Sequence, residues 1–230
     1  MSAFTRPRLA AAVIVVAFVG GGLVAGCTAG APPSHTGPTP ASLTDVRPLG
    51  AGYLGSDPSP SPEATVSPEP GSWDGVVPPE GYRVVLITAD DAAATETITA
   101  SVRRWAKAGA IDLDVVDAAH DDEVEQRIDD SVEQQPDLVI GTGEGVVDVF
   151  TLITPQYLDQ RFMMIGVELP EPTANVSSVI WPGAAYRGSG VGTSGDIDPA
   201  SFTPQRADEA VAAGVAGVLH GLGGIVVSLP

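Results

Sequence analysis

The chain has 230 residues, 29 acidic against 11 basic side chains, a formal net charge of −18 and 5% aromatic residues. Lys107 is its sole lysine and Cys27 its sole cysteine. A surface this acidic argues against nucleic acid and anionic lipid as partners, although it also serves plain solubility, and one cysteine excludes an intramolecular disulfide.

Arg6 and Arg8 precede an apolar run from Leu9 to Val19, and Leu23-Val24-Ala25-Gly26-Cys27 follows. At ~1.5 Å per residue the run falls short of a ~30 Å hydrocarbon core, so residues 1–26 read as a signal peptide rather than a membrane span. The small residues just before the cysteine resemble the lipobox of bacterial lipoproteins. That resemblance implies cleavage before Cys27, a diacylglyceryl group on its thiol and a tether on the extracytoplasmic face of the cell membrane. A free thiol behind an uncleaved anchor, or a cysteine placed by chance, is the plainer alternative.

Residues 27–80 are built from Pro, Ser, Thr, Gly and Ala, and 12 of the 21 prolines lie between Thr28 and Pro79. With almost no periodic apolar pattern, the segment is predicted to be a disordered stalk carrying the lipid at its start. Trp73 and the Val76-Val77 pair near its end either pack on the following domain or stand exposed.

The folded domain is predicted to span residues 81–230. Tyr82 to Thr88 is a strand of branched residues, and Ala89-Asp90-Asp91 is a candidate helix cap. Ala94, Ile98, Val102 and Trp105 then mark one helical face that ends before Gly109. Ile111 to Val116 is the next strand, followed by a surface helix with Val124, Ile128 and Val132 on a single stripe. Pro136 to Phe150, PDLVIGTGEGVVDVF, reads as a buried strand turning through Gly141, Gly143 and Gly145 into a helix. Arg161 to Val167 and Asn175 to Trp181 supply two more extended runs, and Tyr186 to Ser201 is a Gly- and Ser-rich loop. Thr203-Pro204 looks like an N-cap with proline at the first helical position, and Ile225 to Leu229 is a last strand. Strands alternating with helices predict an α/β fold, a single Rossmann-like three-layer lobe with a mostly parallel sheet covered on both faces.

Three segments carry a resemblance to a known family: PDLVIGTG, the stretch from Tyr157 through Phe162-Met163-Met164-Ile165-Gly166, and Asn175-Val176-Ser177-Ser178-Val179-Ile180-Trp181. Together they resemble the first lobe of the basic membrane lipoprotein (BMP) family, the substrate-binding lipoproteins of ABC importers, often for nucleosides. The resemblance covers roughly residues 81–181 and implies a type I periplasmic-binding-protein fold, a small polar solute, and an ABC permease or another surface protein as partner. The sequence also departs from the family. Ala92-Ala93-Ala94 stand where an aromatic residue and an asparagine usually follow the first-strand aspartate. Glu144 replaces an aromatic residue, and the aspartate usual after the fourth strand falls near Gly166. A second lobe has no counterpart in the sequence, so a nucleoside clamped between two lobes is not expected.

In an open parallel sheet, ligands gather where strands turn into helices, because backbone N–H groups and helix N-termini converge there. The ends of the predicted strands would bring Thr88, Asp90, Asp91, Gly141, Thr142, Gly143, Glu144 and Glu168 together. Those carboxylates would favour a hydroxyl-rich or cationic ligand over a phosphate, unless Asp90, Asp91 and Glu144 only cap helices. GTGEG is not a dinucleotide fingerprint, His35, His120 and His220 lack metal-ligand spacing, and no serine stands in a nucleophile elbow. The expectation is a non-enzymatic solute-binding or sensing module with no cofactor and no metal. The alternative is a protein-interaction domain that kept the fold and lost its pocket.

Overall fold

A computed structural model describes residues 43–189 and 197–230. The predicted signal peptide and Cys27 lie outside the described residues. Seven strands form one sheet: β1 (Thr65–Val66), β2 (Arg83–Thr88), β3 (Asp112–Asp117), β4 (Leu138–Thr142), β5 (Phe162–Ile165), β6 (Val176–Ile180) and β7 (Val226–Ser228). Their order is β1-β7-β6-β5-β4-β2-β3, and every neighbouring pair is parallel. The α/β class with a parallel sheet is therefore as expected.

Alternation along β2 explains the two layers of core, since successive side chains of a strand leave opposite faces. Val84 and Leu86 join Ile98 and Val102 of α1 (Ala93–Gly109) and Ala210 and Val211 of α4 (Pro204–Leu219). Val85 and Ile87 join Val124 and Ile128 of α2 (Asp121–Glu133) and Val147 and Phe150 of α3 (Val147–Ile153). Thr203 caps α4 as its spacing predicts, its hydroxyl accepting from the Arg206 N–H at 3.3 Å with Pro204 in the first turn. Small residues let α4 sit low on the sheet. A Cβ on Gly214 would come within 2.6 Å of both Met163 Sδ and Val179 Cγ2.

The stalk expectation is corrected over residues 43–80, which are ordered and packed. β1 pairs with β7 and covers that edge of the sheet, where unpaired backbone groups would otherwise be offered to another chain. Tyr53 is 1% exposed and donates its hydroxyl to the Ala213 carbonyl of α4 at 2.6 Å. Trp73 and Val76 are buried, whereas Val77 stands 61% exposed. Backbone bonds from Gly50 N–H to the Ser72 carbonyl (2.7 Å) and from Glu69 N–H to the Gly52 carbonyl (3.1 Å) tie this strap to itself. A few large side chains suffice here because they dock onto the apolar surface of α4 and β7 instead of building their own core. Composition averaged over the segment does not register such anchors. Among the described residues the packed domain accordingly begins at residue 43 rather than residue 81.

The strap also reaches the end of the domain where the strands begin. His220, which follows α4, places Nε2 2.9 Å from the Arg47 carbonyl, beside the N-terminal ends of the strands. All strand C-termini point to the opposite rim.

Candidate functional site

At that rim β2, β4 and β5 end side by side, with Thr88 paired to Thr142 and Thr142 to Ile165 in register. β4 and β5 then break into turns that a side chain would block. Gly143 has φ of +94°, a left-handed value that costs any other residue energy, and a Cβ there would meet Thr95 Oγ1 at 2.8 Å and run into the Asp90 carboxylate. Gly166 has φ of +75°, and its Cβ would lie 2.8 Å from the ring of Phe202. Phe202 is itself fixed, stacked edge-on against Trp181 at 5.0 Å, whose indole N–H donates to Ser201 Oγ at 3.0 Å.

These turns frame a cavity of about 370 Å³. Its polar wall is Asp90, Thr95, Thr142, Gly143 and Glu144, and its apolar wall is Val167, Ile197, Pro199 and Phe202. Among the described residues no lysine or arginine lines it. The first turn of α1, Ala92 to Thr95, forms one end. A second, more open cavity of about 680 Å³ lies between the ends of β2 and β3 and shares Asp90 and Thr95 with the first. There Thr88 donates its hydroxyl to Asp117 Oδ1 at 2.5 Å.

The rim gathers most of the residues expected there, in different roles. Asp90 folds back locally, Oδ1 accepting from the Ala92 N–H at 3.1 Å, which leaves Oδ2 above Gly143. Asp91 and Thr88 line only the larger cavity, and Glu144 only the smaller. Thr142 lines the smaller cavity but spends its hydroxyl proton on the Ile165 carbonyl at 2.9 Å. Gly141 is corrected: it lies inside β4, where a Cβ would press within 2.9 Å of Met164 and Phe150, so it serves packing. Glu168 is corrected too, because it lines neither cavity. It is 8% exposed and pairs with Arg187 Nε at 3.0 Å. Burial pushes its carboxyl above the ordinary value, and the arginine partly offsets this.

Two contributors escaped the sequence reading. Thr95 is only 4% exposed, yet its hydroxyl has no hydrogen-bond partner among the described residues. Its signal was a threonine in the first turn of a helix preceded by Ala92, which has no side chain to cap it. Phe202 was legible only as the aromatic just before the Thr203 cap. Among the described residues no cluster of His, Cys, Asp and Glu is placed to hold a metal ion, and no helix is long and apolar enough to cross a membrane.

No protein-family model matches the sequence, and no curated protein matches it. Among solved structures, the chain is similar to an ABC-transporter solute-binding protein from Aeropyrum pernix K1, at 16% identity and a TM-score of 0.40 over 44% of this chain. A second is the corresponding kind of protein from Conexibacter woesei DSM 14684, at 20% identity and 0.37 over 44% of this chain. The chain spans only 29% and 35% of the lengths of those two proteins. A provisionally assigned lipoprotein fragment from Peptoclostridium difficile 630 matches at 15% identity and 0.44, over 60% of this chain and 98% of that one. Likenesses of this grade assign neither a family nor a ligand.

Proposed function

We propose that this domain is a solute-binding module of the kind that serves ABC importers, related to the first lobe of BMP lipoproteins and carried on the extracytoplasmic face of the membrane by a lipid on Cys27. The observation that carries the reading is the roughly 370 Å³ cavity at the C-terminal rim of a parallel sheet, with polar groups converging on one side and an apolar wall on the other. A cavity held open by Gly143 and Gly166 favours ligand binding over an interaction domain whose pocket has been lost. In this reading the module acts by binding rather than by turnover.

The test is thermal unfolding of the full chain with amino acids, sugars, nucleosides and amines in turn. A solute at 100 times its Kd stabilises by ~2.7 kcal/mol, a shift readily seen. A shift with one class supports the reading, and none with any class overturns it in favour of the protein-interaction alternative.

A further inference from the structure

The smaller cavity has two kinds of polar wall that no single charge satisfies. On one side, α1 is 17 residues long and no side chain caps it. Its Ala92 N–H is taken by Asp90, but those of Ala93, Ala94 and Thr95 have no intrahelical acceptor. Beside them stands Thr95, more than nine-tenths buried, its hydroxyl without a partner among the described residues. The Thr95 side chain is buried while its hydroxyl oxygen stays open to the cavity, so the hydroxyl is free to donate to an acceptor placed there. On the other side stand two carboxylates, Asp90 with Oδ2 free above Gly143, and Glu144.

An anion alone would be repelled by Asp90 and Glu144, with no lysine or arginine among the described residues of the lining to offset them. A cation alone would sit at the positive end of a helix dipole and leave the donors unmet. A polyol would meet both walls but would place hydroxyls against Val167, Ile197, Pro199 and Phe202. We propose that the cavity takes a free α-amino acid with an apolar side chain. Its carboxylate accepts from the N–H groups at the start of α1 and from Thr95 Oγ1, its ammonium donates to Asp90 Oδ2 and Glu144, and its side chain lies on Phe202. This rests on the solute-binding reading above and names the ligand class of that site.

The test is calorimetric titration of the full chain with L-leucine, 3-methylbutylamine, 4-methylpentanoate, glucose and adenosine. L-Leucine is expected to bind, and each analogue lacking one charge to bind about tenfold or more weakly. Thr95→Val removes only an unpartnered hydroxyl, so the domain should unfold at the same temperature or slightly higher while L-leucine binding weakens about tenfold. Thr95→Ser restores it. Asp90→Asn keeps the bond to the Ala92 N–H and should weaken L-leucine and the amine together. Binding of the amine as tight as that of L-leucine, or L-leucine binding unaffected by Thr95→Val, would overturn the proposal. Glucose or adenosine binding without L-leucine would overturn it and leave the solute-binding module standing. Binding by none of the five overturns the proposal, and the wider solute panel then decides the module.

Discussion

Replacing Tyr53 by alanine should destabilise the domain even though residue 53 lies in a stretch whose composition reads as disordered. The ring is 1% exposed and packs on α4, where Gly217 leaves room for it: a Cβ at 217 would sit 2.6 Å from the phenolic oxygen. Deleting a buried aromatic side chain costs ~3–5 kcal/mol, which in a domain of this size lowers Tm by roughly 10 °C. Tyr53→Phe loses only the bond to the Ala213 carbonyl, about 1 kcal/mol or ~2–4 °C. One limit applies to the larger figure. If the strap detaches before the sheet unfolds, the loss cannot exceed the free energy with which residues 43–80 dock, and the remainder appears as cleavage within the strap. Calorimetry paired with limited proteolysis distinguishes the two routes. Should Tyr53→Ala leave both Tm and the cleavage pattern of residues 43–80 unchanged, the strap is not part of the fold and its packing on α4 and β7 is refuted.

Gly143→Ala should cost about 1–3 kcal/mol, measured by denaturant titration, and abolish solute binding, because residue 143 would be strained at positive φ with its methyl in the space of Thr95 and Asp90. Glu168→Gln addresses pH. Burial raises the folded carboxyl above its ordinary value of 4.5, so the folded state binds that proton more tightly than the unfolded state. Its contribution is therefore fully present below 4.5 and lost as pH rises through the raised value. Stability measured across that window should decline less in Glu168→Gln than in the parent protein. An identical decline in both would mean that Glu168 is as well solvated folded as unfolded. Cys27→Ser should release the protein from membranes to the soluble fraction on cell fractionation, and persistent membrane association would point to a different anchor.

Periodicity made the layered core legible because each element there is long enough to show a repeat. Within the strand from Arg83 to Thr88 the run from Val84 to Ile87 is apolar without a break, as a stretch buried on both faces must be. The helix carrying Ile98 and Val102 and the cap at Thr203-Pro204 follow from local preference. The rim was legible in part for the same reason, since Asp90, Thr142, Gly143 and Glu144 each stand at the end of a strand or within two residues of it. Glu168 also follows a strand, yet it turns away to Arg187, because which wall a loop side chain reaches depends on the loop's path and not on its distance from the strand.

What the amino-acid order determined without help was therefore the sequence of elements from Tyr82 onward, their parallel arrangement and the glycines that open the rim, all products of short-range sterics and repeat. Tertiary structure alone decided that Tyr53, Val66 and Trp73 draw a proline-rich segment onto α4 and β7. It alone also set Thr95 and Phe202 beside Asp90 around one cavity. Those outcomes depend on surfaces supplied by residues more than a hundred positions away, and no local pattern encodes a surface that exists only after the sheet has formed.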